Sequence, residues 1–232
     1  MIDLKLKSKY FAIVVDRTGS MSPIIDDVRV NLKELATNMF QDISDLQMAI
    51  IAHGDYCDGD DCISILDFTN DLDKIMSFIT NVRISSGGDA PECIEYALNV
   101  AQSLQWNNGG SLLLVGDSEP HPVSDNPNKL DWHIELNNLL DKKIKVFGLQ
   151  CMKSDYNQDV NRFWDSVAEI ADTPLLQLER SNEMAVSLGA VAYAGLTGSE
   201  GLETYYRRTK DEIYSTSYNV NLSSLTSYCA KE

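Results

Sequence analysis

The chain has 232 residues, with 35 acidic against 19 basic side chains and a formal net charge of −16. That balance excludes a surface built as a whole to hold phosphate backbones, because such binding draws on Lys and Arg, and it favours the attraction of cations. Apolar residues make up 44% of the chain, enough for a sizeable core, which excludes a disordered segment.

Strand-like and helix-like patterns alternate along the sequence. Phe11 to Val15, "FAIVV", is a short and continuously apolar run, as expected of a strand buried on both faces. Ser22 to Phe40 opens with Ser at a cap position and Pro at the first helical position, and Ile25, Val28, Leu32, Leu35 and Met39 recur at helical spacing. "LQMAIIAH" and "CISILDF" follow as strands with no helix between them, so an antiparallel hairpin is expected there. A short helix starts from Asp71. "APECIEYALNVAQSL" is helical, "SLLLVGD" a buried strand, "KLDWHIELNNLLDKK" a helix, "IKVFGLQC" a strand and "NRFWDSVAEIA" a helix. "PLLQL" closes the strand series and "NEMAVSLGAVAYAGL" the helix series.

This alternation predicts an α/β fold. A doubly wound, mostly parallel, Rossmann-like central sheet carries one antiparallel edge strand, with helices on both faces. Residues 1–197 form the domain, and the Tyr- and Ser-rich segment 198–232 is read as an appendage. No apolar run approaches the roughly 18 residues that span a bilayer. Lys5, Lys7 and Lys9 precede an apolar stretch too short for a leader. The odd, scattered set Cys57, Cys62, Cys93, Cys151 and Cys229 suits free thiols in a reducing compartment. A cytoplasmic protein is expected.

In open α/β sheets, ligands bind beyond the carboxyl ends of the strands. Three polar loops fall at such ends: "DRTGS" after the first strand, "SGGDAPE" from Ser86 to Glu92, and "GDSEPH" from Gly116 to His121. Together they bring Asp16, Thr18, Ser20, Asp89, Glu92 and Asp117. An all-oxygen set without His or Cys suits Mg²⁺ or Ca²⁺ rather than zinc. Each piece also has a plain structural reading. Ser20 or Ser22 can cap a helix, Asp89 and Glu92 can form a capping-box variant around Pro91, and Asp117 can end a strand at a turn. The three loops at one predicted sheet edge favour the metal.

"DRTGSM" resembles the D-x-S-x-S metal-ion-dependent adhesion site (MIDAS) of von Willebrand factor type A (VWA) domains, with Thr18 in place of the first serine. "GGDAPE" resembles the D-x-P-E second loop of the integrin β I-like domain, and "LLLVGDSEPH" the strand and aspartate of the third loop. The resemblance covers Lys9 to Leu196. It implies that Asp16, Thr18, Ser20 and Asp117 hold a divalent cation, Mg²⁺ first and Ca²⁺ or Mn²⁺ next, directly or through water. Many such domains place a Thr in the second loop. None stands in "GGDAPE", which leaves Asp89 or Glu92 as the ligand there, and either adds negative charge. The resemblance also implies a protein partner offering an Asp or Glu to the metal, within an intracellular multiprotein system that can include an AAA+ ATPase or a kinase. Neither nucleic acid nor membrane is expected as a direct partner.

"VVDRTGS" is also similar to the nucleophile loop of haloacid-dehalogenase-type phosphohydrolases, in which Asp16 would attack phosphorus with Mg²⁺ assisting. Thr18 stands where those enzymes carry a second Asp, and "GGDAPE" has no role in that scheme, so a binding module rather than an enzyme is expected. The acidic run His53 to Cys62, with Asp55, Asp58, Asp60 and Asp61, reads as a solvated hairpin turn. It lacks the spacing of an EF-hand. His53, Cys57 and Cys62 lack a fourth ligand for zinc, and His121 and His133 read as structural.

Overall fold

The structure is a computed structural model that describes residues 9–23, 25–88, 90–107, 109–153, 156–178, 184–215 and 222–231. The first strand, β1 (Tyr10–Asp16), shows how the sheet is built. Phe11, Ile13 and Val15 point into the core on one face, and Ala12 and Val14 into the core on the other. The period of two in a strand means that a continuously apolar run can satisfy only a sheet covered on both sides.

After β1 a one-turn 3-10 helix, Gly19–Met21, leads to α1 (Ile25–Asp42). The helix therefore starts a few residues later than the expected start at Ser22 and Pro23, because those positions belong to the turn that closes the first loop. The rest follows as β2 (Gln47–His53), β3 (Ile63–Thr69), α2 (Leu72–Asn81), α3 (Ile94–Ser103), β4 (Gly110–Gly116), α4 (Trp132–Asp141), β5 (Ile144–Cys151), α5 (Gln158–Ala171), β6 (Leu176–Leu178), α6 (Met184–Ser215) and α7 (Leu222–Cys229).

Among the described residues, six strands are ordered β3-β2-β1-β4-β5-β6. All pairs are parallel except β2 with β3, which forms the expected antiparallel edge. The fold is thus the doubly wound α/β arrangement. Helices α3, α4 and α5 bury Leu98, Leu136 and Trp164 against one face. Helices α1, α2, α6 and α7 bury Leu32, Ile75, Tyr193 and Leu225 against the other.

The tyrosine-rich segment is helical over residues 198–215 and 222–229. Its Leu202, Tyr205, Leu225 and Cys229 lie in the second of these cores. Helix α6 runs across the expected boundary at residue 197 and turns at Gly198, whose φ of 69° is the left-handed conformation that glycine adopts freely. The Tyr193 hydroxyl donates to the Asp42 carboxylate, tying α6 to the end of α1. Among the described residues no helix is long and apolar enough to cross a membrane.

Candidate functional site

The strand order reverses between β1 and β4, and the crevice of a doubly wound sheet opens at such a point. β1 ends on Asp16, and β4 ends on Gly116, directly before Asp117. The two carboxylates are therefore neighbours by topology. Gly116 makes this possible: a Cβ there would meet the Asp16 Cβ at 3.2 Å.

The first loop folds back on Asp16. The Thr18 backbone N–H donates to Asp16 Oδ1 at 2.8 Å, and the Thr18 hydroxyl donates to the same oxygen at 2.7 Å. Thr18 Oγ1 lies 3.0 Å from Ser20 Oγ, which donates to Asp117 Oδ1 at 3.0 Å. A continuous chain of oxygens thus runs Asp16, Thr18, Ser20, Asp117. Its inner end is closed off, with Asp16 at 0% and Thr18 at 1% exposure. Its outer end opens to solvent at Ser20.

The second loop approaches from the side. A Cβ on Gly87 would meet Glu92 Oε1 at 3.3 Å and the Thr18 Cβ at 3.6 Å, so Glu92 and Thr18 flank this glycine. Gly87 has a φ of 63°, a further reason for glycine here. Backbone bonds fix the loop: the Glu92 N–H donates to the Glu119 carbonyl at 2.9 Å, and Glu92 and Pro120 form a parallel bridge. The Ser118 hydroxyl donates to the Ala90 carbonyl. The structure brings Asp16, Thr18, Ser20, Glu92 and Asp117 together. Asp89 lies outside the described residues.

The plain capping reading of the second loop does not fit the observed start of α3. The helix begins at Ile94 with Cys93 at its cap position. Pro91 and Glu92 precede it, and the Glu92 side chain is turned inward, buried at 4% exposure. Helix capping therefore does not account for this carboxylate.

Crowding of buried carboxylates sets the electrostatics. Burial raises Asp16 to about 6, opposed by the hydrogen bonds from Thr18. Burial and then the Asp16 charge raise Asp117 to about 6. Burial, followed by the charges of Asp16 and Asp55, raises Glu92 to about 9. Asp16 Oδ2 and Glu92 Oε2 are buried with no hydrogen-bond partner. Desolvated carboxylates cost free energy unless a proton or a cation compensates them. Among the described residues, no group of three or more His, Cys, Asp and Glu side chains is arranged to hold an ion by itself. Any cation here would draw on the hydroxyls as well.

Several residues behind the loops have no signature in the sequence. His121 Nε2 lies 2.7 Å from Asp55 Oδ1, and both side chains are buried. The Tyr56 hydroxyl donates to Glu95 Oε1 at 2.7 Å, and the His121 N–H donates to Glu95 Oε2 at 3.1 Å. Asp55 is thus no part of a solvated turn: it caps the 3-10 segment Tyr56–Cys62 and anchors it to the third loop. The Arg17 guanidinium, also buried, donates to the carbonyls of Arg83 and Asp61, joining the first loop to both neighbours. The one local signal for these roles is the position of Arg17 between two of the site residues.

No family model matches the chain. It is 25% identical over 228 residues to an ariadne-like RING finger protein of Acanthamoeba polyphaga mimivirus, an alignment covering 90% of this chain and 22% of that protein. It is 22% identical over 104 residues to alpha-protein kinase vwkA of Dictyostelium discoideum, covering 44% of this chain and 17% of the kinase. The chain thus spans less than a quarter of the length of these curated relatives. Two crystal structures of the pilus adhesin SpaC from Lactobacillus rhamnosus GG superpose with TM-scores of 0.64 and 0.63, at 12% and 13% identity. Each covers 87% of this chain and 31% of the adhesin. That likeness is one of fold.

Proposed function

We propose that the chain is a VWA-type domain that binds a divalent cation in a MIDAS-like site and, through it, another protein. One observation carries the reading. Asp16, Thr18, Ser20 and Asp117 form one chain of oxygens at the crevice, while Asp16 Oδ2 and Glu92 Oε2 stay buried and unpartnered beside it. An oxygen-rich, carboxylate-rich cluster suits Mg²⁺, Ca²⁺ or Mn²⁺. Asp16, Thr18, Ser20 and Asp117 would hold the ion, with Glu92 as the second-loop carboxylate. Bound there, the ion supplies positive charge that offsets the buried carboxylates and attracts a partner's Asp or Glu. Glu92 in place of a neutral hydroxyl tightens the hold on the ion and weakens that attraction.

The fold likeness to a pilus adhesin and the small share of the two curated relatives that the chain spans both suit a recognition module. In this reading it delivers a partner to a larger assembly and performs no chemistry. The test is calorimetric titration of the chelator-stripped protein with Mg²⁺, Ca²⁺ and Mn²⁺, beside an Asp16→Ala control. The expected result is saturable binding near one equivalent that the control lacks. A wild-type protein that binds none of the three would refute the cation site. At a hundredfold excess over Kd, the ion should add roughly 2.7 kcal/mol to stability, a Tm rise of about 5–10 °C.

A further inference from the structure

Beneath the second loop, Cys93 Sγ lies 3.9 Å from Cys62 Sγ. The two residues are 31 apart in sequence and meet because the backbone of each bonds to the same residue, Gly54. The Gly54 N–H donates to the Cys62 carbonyl at 2.8 Å, and the Cys93 N–H donates to the Gly54 carbonyl at 3.4 Å. The Cys93 thiol also lies 3.0 Å from that carbonyl. The pair is therefore held in register by backbone hydrogen bonds, independently of its own sulfur contact. Cys62 keeps 5% exposure and Cys93 none.

We propose that Cys62 and Cys93 form an oxidisable dithiol that closes to an intramolecular disulfide, joining the acidic 3-10 turn to the cap residue of α3. A disulfide needs its sulfurs at about 2 Å, so closure requires an approach of roughly 2 Å, within reach of side-chain rotation and a small backbone shift. Cys62 is the thiol that a small oxidant reaches first, because it keeps some exposure and Cys93 has none. The oxidant is a small hydroperoxide such as hydrogen peroxide. The Cys62 sulfur attacks one peroxide oxygen, the O–O bond breaks, and water leaves, giving a sulfenic acid. The Cys93 sulfur then displaces that oxygen, the S–S bond forms, and the displaced hydroxide takes the thiol proton as a second water. Two thiols lose two electrons and one peroxide gains them. The bond fixes Cys93, next to Glu92, against the turn, and restrains the second loop. The inference does not depend on a bound cation.

The test uses the full chain. In a Cys57→Ser background, which removes the exposed thiol, four cysteines remain. Peroxide treatment followed by thiol titration in denaturant should lower the count from four to two, and dithiothreitol should restore it. Peptide mapping of the unsubstituted, oxidised protein under non-reducing conditions should yield a linked Cys62–Cys93 pair. In the same background, Cys93→Ala should yield no intramolecular link. Four thiols persisting after excess peroxide, or a link joining other cysteines, would overturn the proposal.

Discussion

Asp16 carries the tension of the site. It has two hydrogen bonds from Thr18 on one oxygen and no partner on the other. Asp16→Asn keeps an oxygen for Thr18 and removes a charge that burial disfavours. In the presence of chelator at neutral pH, this variant should be more stable than wild type by about 1–2 kcal/mol, read by thermal unfolding. The added stability that Mg²⁺ gives wild type should vanish in the variant. His53 behaves in the opposite sense. Burial pushes its imidazole down to about 4. The unfolded chain takes up a proton near 6.5 and the folded one only near 4, so stability falls as pH drops through that window. At the bottom of the window the loss is on the order of 2–3 kcal/mol. The His53 ring resonances, followed by NMR, should show no protonation near pH 6.5, and a His53→Gln variant should lose this part of the pH slope.

At this scale the sequence was legible where partners are close along the chain. Asp16, Thr18 and Ser20 stand two apart and meet through one loop. Asp55 and His121 are 66 residues apart and meet because two loops share a sheet edge. No local pattern announces such a pair.

The strands were readable almost to the residue, because burial on both faces leaves an unbroken apolar run bounded by polar loops. β5 spans Ile144–Cys151, the same stretch its pattern marks. Helix starts were less readable. At α1 and α3 the cap-like residues Ser22, Pro91 and Glu92 belong to loops at the candidate site, and the helices begin only after them. Capping and ligand-binding loops use the same short polar side chains, so local chemistry cannot separate them. At the end of α5, Asp172 sits in the left-handed conformation with φ 50°. Glycine adopts that conformation without a Cβ penalty, so Asp172→Gly should raise stability by about 0.5–1 kcal/mol. Chemical denaturation measures this, and an unchanged or lowered midpoint would contradict it.

For the whole molecule, the C-terminal helices decide how much of the chain is needed. Leu202, Tyr205, Leu225 and Cys229 are at most 8% exposed and join the core beneath α1. Burial of large apolar side chains contributes roughly 1.5–3 kcal/mol each, an upper bound. Their sum approaches the whole stability of an ordinary domain, about 5–15 kcal/mol. A chain ending at residue 197 should therefore fail to unfold cooperatively and should bind a hydrophobic dye. A sharp thermal transition from that fragment would show that the last helices are dispensable. Their place was hidden in the sequence because tyrosine and serine give no clear helical stripe, and the apolar contacts that fix them are with distant residues.

The order of the strands also governs how copies of this protein meet one another in solution. A β-sheet can recruit a neighbour along any edge that offers long, flat and unpaired backbone. On one side the described strands end at β6, which pairs with β5 through three residues. On the other the described strands end at β3, with a register irregularity against β2 and with Asp67 exposed beside Ile65. With a net charge of −16 on every copy, approach of two such rims is also repelled. The protein should stay dispersed when concentrated at low ionic strength, and crowding should not drive sheet-to-sheet growth.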